Sequence, residues 1–74
     1  MSEAAYLQVA RDIREQISSG TLKPGDKLPS FAALCERYDV SNTVIRASML
    51  VLKAEGLIDG RQGKGVYVAN PPHE

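Results

Sequence analysis

Two serines frame the chain. Ser30 and Ser41 stand eleven residues apart, each just ahead of an apolar stripe with helical spacing: Phe31, Leu34, Cys35 and Tyr38 after the first, Ile45, Ser48, Met49 and Leu52 after the second. A serine in that place accepts a hydrogen bond from a backbone N–H of the first turn and marks where a helix starts. The interval holds a helix of about two turns and a tight turn at Tyr38 to Val40. The second start is unusually polar, with Ser41, Asn42, Thr43 and Arg46 placed where a core helix begins.

The flanking segments complete the order. From Ala4 to Ser19, the residues Tyr6, Val9, Ala10, Ile13 and Ile17 form the stripe of an amphipathic helix, closed by Gly20. In "TLKPGDKLPS" the pair Pro24-Gly25 favours a type II turn, Leu22 and Leu28 dip toward the core, and Lys27 and Leu28 are expected to form a very short strand. Gly56 ends the third helix, with Lys53 in its last turn. Beyond it, "LIDG" and "GVYVA" flank the Gly-rich "RQGK" as a hairpin, offering Leu57, Ile58, Val66 and Val68 as core candidates. The expected fold class is α+β: three helices followed by a two-stranded β-hairpin wing, a winged helix-turn-helix.

At 74 residues there is room for one domain, assigned to 4–69, and the Pro-rich tail 70–74 reads as the start of a linker. The single cysteine, Cys35, has no internal disulfide partner and lies in a core stripe. No charged-then-apolar leader or long apolar run stands out, so the chain reads as cytoplasmic, with no membrane partner. One His and one Cys make neither a metal site nor a nucleophile with its base, and Lys64 is followed by Gly65 where a phosphate-binding loop needs Ser or Thr. An enzyme is therefore not expected, nor a cofactor in this domain.

Net charge is zero, which argues against nucleic acid, since phosphate neutralisation normally shows as a basic domain. Distribution qualifies the sum. Asp12, Glu15, Glu36 and Asp39 fall on the first two helical patterns, whereas Arg46, Arg61 and Lys64 fall at the third helix and the hairpin. A helix N-terminus offers free N–H groups and a positive dipole end to a phosphate. Ser41 and Thr43 add hydroxyls, Asn42 can donate and accept toward a base edge, Arg46 can make a bidentate contact with guanine, and Val44 can pack on a thymine methyl. At the hairpin tip, Arg61 and Lys64 flank Gln62 and Gly63 on a thin loop. The same residues would also make an ordinary solvated face and a solubilising turn, and both readings stay open on the residues alone.

"GTLKPGDKLPS", "VSNTVIRA" and "LKAEGLIDGRQGKGVYV" at these intervals resemble the N-terminal DNA-binding domain of the GntR family of bacterial transcriptional regulators, from about Tyr6 to Val68. The wording of the first helix looks most like the histidine-utilisation-repressor branch. The resemblance implies a dimeric repressor on a palindromic double-stranded operator, its recognition helix in the major groove and its wing in the minor groove. It also implies a separate C-terminal domain that binds a small-molecule effector and oligomerises, making this chain a detached reading head. Family DNA contacts carry over to Ser41, Asn42, Thr43 and Arg46, to Gln62, Gly63 and Lys64 in the wing, and to Tyr6 near the backbone. The chain departs from the family pattern at Ala32, where Arg is common, at Ala33, where a capping Glu is usual, and at Asn42 and Val44, which replace frequent Arg and Thr. The alternative is a winged helix that contacts protein and not DNA, with Leu50 and Val51, off the core stripe, as a docking patch.

Overall fold

A computed structural model describes residues 4–61 and 65–69 of the chain. Three helices come first, α1 (Ala5–Ser19), α2 (Phe31–Tyr38) and α3 (Asn42–Ala54), and two antiparallel strands follow, β1 (Ile58–Arg61) and β2 (Gly65–Val68). The expected order and fold class are therefore those observed. The linker assigned to 70–74 lies outside the described residues.

Local chemistry sets the boundaries. Ala4 precedes α1 without a side-chain cap, and Gly20 closes the helix in the left-handed region at φ +88°. Ser30 Oγ accepts from Ala33 N at 3.1 Å to start α2. Asp39 ends it at φ +55°, a conformation that Asp tolerates better than most side chains and that reverses the chain in time for Ser41 to start α3. Gly56, at φ +77°, turns the chain out of α3 as its N–H donates to the Lys53 carbonyl at 2.9 Å.

The segment between α1 and α2 joins the hairpin. Gly25 adopts φ +90° and Asp26 N donates to the Lys23 carbonyl at 2.9 Å, which is the expected type II turn at Pro24-Gly25. Beyond the turn the chain runs beside β2: Gly25 N donates to the Val68 carbonyl, Val68 N to that of Asp26, and Leu28 N to that of Val66. The short strand expected at Lys27 and Leu28 shrinks to a single bridge between Lys27 and Tyr67, because the turn on one side and Pro29 on the other leave no length for a ladder.

The core is the inner face of this arrangement. Val9, Ala10 and Ile13 of α1, Leu34 of α2, and Ile45, Met49 and Leu52 of α3 are buried together with Leu28, Ile58 and Val68. Strand alternation explains the hairpin's share, since Ile58 pairs with Val68 and both point inward. Ile17, Leu22, Phe31, Cys35, Leu57 and Val66 pack against this cluster half-buried. Tyr6, counted in the α1 stripe, is 37% exposed, and Val51, expected off the stripe of α3, packs against the core; Leu50 beside it is 68% exposed.

Polar links also hold α1 to the rest. Ser48 is the one buried polar residue among those described, and its hydroxyl lies 2.9 Å from the carbonyls of both Tyr6 and Val44. Arg14 grips Glu55 with two parallel bonds, Nε to Oε1 at 2.9 Å and Nη2 to Oε2 at 2.8 Å. Tyr38 donates its phenol proton to Asp12, joining α2 to α1.

Candidate nucleic-acid interface

The start of α3 presents its polar residues outward on a braced helix. Ile45, Ser48, Met49 and Leu52 are buried on one face, so Asn42, Thr43 and Arg46 are exposed on the other. Ser41 Oγ accepts from Val44 N at 3.4 Å, a long bond that satisfies one N–H of the first turn weakly. The other early N–H groups of α3 remain at the positive end of the helix dipole. Val44 is half-buried and packs against the core cluster, so its side chain is shared between the interior and the outer face.

Asn42 touches α2. The Cys35 thiol donates to Asn42 Oδ1 at 3.9 Å, a weak contact that engages only the amide oxygen. Cys35, placed by its spacing in the core stripe, is thus only half-buried and sits behind the start of α3.

Arg46 meets the hairpin. It lines a largely apolar groove of about 370 Å³ between α3 and the strands, together with Met49, Leu50, Lys53, Gly60 and Val66. The outer part of the hairpin therefore lies beside the outward face of α3. Lys53, two turns beyond Arg46 on that face, adds a cation that sequence reasoning read only as a helix-end charge; its heptad offset from Arg46 was the available signal.

Tyr6 is placed by the Ser48 bond, which ties its carbonyl to α3 and holds the first turn of α1 near the α3 start. Of the hairpin residues, Arg61 pairs with Gly65 in the strand register. Gln62, Gly63 and Lys64, together with the Arg61 side chain, lie outside the described residues.

The expected segregation of charge is incomplete. Arg11 and Arg14 share α1 with Asp12 and Glu15, and Arg37 shares α2 with Glu36. What distinguishes the outer face of α3 is that it carries Arg46 and Lys53 and no carboxylate. Among the described residues, no His, Cys, Asp and Glu cluster could hold a metal ion, and no helix is long and apolar enough to cross a membrane.

A short helix and a longer one joined by a tight turn, with a hairpin beside the second, define a winged helix-turn-helix. The chain belongs to the family described as bacterial regulatory proteins, gntR family, whose model matches residues 5–68. That is a family of regulators and not of enzymes. The Exu regulon transcriptional regulator of Escherichia coli (strain K12) is 37% identical over 71 residues, which cover 93% of this chain and 28% of that protein. The mannosyl-D-glycerate transport/metabolism system repressor MngR of the same organism is 43% identical over 63 residues, 85% of this chain and 26% of its own length. Among solved structures, AraR(DBD) in complex with operator ORX1 aligns with a TM-score of 0.89 at 32% identity, over 92% of this chain and 82% of that one. The chain thus spans about a quarter of the length of the curated relatives it matches.

Proposed function

We propose that residues 4–69 form the sequence-specific, double-stranded DNA-binding domain of a cytoplasmic transcriptional regulator that acts as a repressor. The observation that carries this reading is the start of α3, where Asn42, Thr43 and Arg46 stand exposed on a helix fixed from behind by Ile45, Ser48, Met49 and Leu52. A solved relative at 32% identity that holds an operator supports it. In this reading α3 enters the major groove and the hairpin the minor groove. Arg46 and Asn42 read base edges, Val44 packs on a thymine methyl, and Ser41, Thr43, Tyr6, Arg61 and Lys64 hold phosphates, while Gln62 and Gly63 carry the wing into its groove.

The partner is a palindromic operator, bound by two copies of the chain. Residues 70–74 lead into a linker, and dimerisation and a small-molecule effector belong to a C-terminal domain. A zero net charge limits the non-specific attraction, so a lone domain binds weakly and depends on the dimer.

A ¹⁵N-HSQC titration with a mixed-sequence duplex at low salt, repeated at higher salt, tests the reading. Salt-sensitive shifts confined to Ser41–Arg46 and Arg61–Gly65 are expected. A chain that shows no shifts there does not bind DNA through this face, and the exposed Leu50 then becomes the centre of a protein-docking surface.

A further inference from the structure

Lys27 stands outside the residues assigned to DNA so far. It is exposed, and the bridge to Tyr67 sets it on the free edge of β2. Its stem crosses Gly65: a Cβ added at Gly65 would lie 2.9 Å from Lys27 Cε and 3.7 Å from Nζ. A glycine at this position, which also adopts φ +116°, is what lets the stem lie flat against the strand. Among the described residues no carboxylate pairs with the Lys27 ammonium.

The face on which it lies follows from strand alternation. Val66 and Val68 turn toward the core and the groove shared with Arg46, so Gly65 and Tyr67 belong to the opposite face. Arg46 and Lys27 therefore carry positive charge on opposite sides of the same hairpin. A hairpin lying in a minor groove about 6 Å wide has one phosphate backbone on each side. In that arrangement α3 lies toward one of these backbones, and Lys27 toward the other.

We propose that Lys27 is a phosphate-binding residue that meets the DNA strand on the side of the hairpin remote from α3. The proposal rests on the reading that the hairpin enters the minor groove. It makes the segment before α2 a working part of the wing, because that segment adds a cation to those that Arg61 and Lys64 bring to the hairpin. A phosphate contact is blind to sequence, so the effect of losing it is the same on every duplex.

The test is a salt series of duplex binding by fluorescence anisotropy for the wild type, Lys27→Met and Lys27→Arg. Methionine keeps an apolar stem over Gly65 and removes the charge, with Lys27→Gln as a second neutral variant should the methionine form melt early. Each phosphate contact contributes about −0.9 to the slope of log K against log salt. The expected result is a slope shallower by about 0.9 in the neutral variants, an affinity several-fold lower at low salt on specific and mixed-sequence duplexes alike, and recovery of both in Lys27→Arg. A wild type that binds with a steep salt slope left unchanged in folded Lys27→Met and Lys27→Gln overturns the assignment of Lys27 alone. Absence of salt-dependent binding by the wild type overturns the DNA reading, and this inference with it.

Discussion

Arg46 and Ser48 lie two positions apart on α3 and face opposite ways, one exposed and one fully buried. The guanidinium of Arg46 has no ion-pair partner among the described residues, so none of them holds it back from a base in the proposed reading. Arg46→Ala is expected to lower affinity for a selected operator by about 1–3 kcal/mol and to relax preference at one base pair. Competition binding against single-base-pair operator variants measures both, and an unchanged affinity removes Arg46 from the base readers. Ser48→Ala acts on stability: the two carbonyls it loses also belong to helical turns, so the cost is about 0.5–1.5 kcal/mol in chemical denaturation. Its inward position was legible from the stripe Ile45, Ser48, Met49, Leu52. Its bond to Tyr6 was not, because a partner 42 residues away leaves no local trace.

Helix starts are local devices, and both serine caps were legible for that reason. The structure separates them by function. Ser30 Oγ bonds Ala33 N at 3.1 Å, whereas Ser41 Oγ reaches Val44 N only at 3.4 Å. Ser30→Ala should therefore cost about 1 kcal/mol of stability, and Ser41→Ala less. If Ser41 holds a phosphate, its variant loses DNA affinity out of proportion to its stability, and Ser30→Ala does not. Denaturation and duplex titration of the same two proteins decide this, and equal affinities would reduce Ser41 to a helix cap. The edge of the sheet was less legible: the bonding of Lys27 and Leu28 depends on where β2 arrives, some forty residues later. Charge placement was legible only in part, since Arg11, Arg14 and Arg37 share α1 and α2 with the carboxylates Asp12, Glu15 and Glu36.

At the scale of the molecule, a chain this short stays folded on a small core and long-range polar links, several of them made by α1. The Arg14–Glu55 pair is about 40% exposed on both sides and contributes little. The Tyr38–Asp12 bond is more informative, because it titrates. Burial, and then donation of the phenol proton to Asp12, push the Tyr38 pKa from 10.0 up to about 12. The fold thus favours the protonated phenol. Below pH 10 both folded and unfolded chains hold that proton, and the contribution is fully present. Between pH 10 and about 12 the unfolded chain binds fewer protons than the folded one, so stability falls as pH rises, and above the folded pKa nothing further is lost. Tyr38→Phe removes this dependence while leaving the other titrating groups in place. The melting-temperature difference between wild type and Tyr38→Phe should be constant up to about pH 10 and then drift against the wild type. A difference that stays flat through pH 12 would mean that the phenol is neither shielded from water nor held by Asp12 in solution, and that the contact between α2 and α1 is looser there than in the structure.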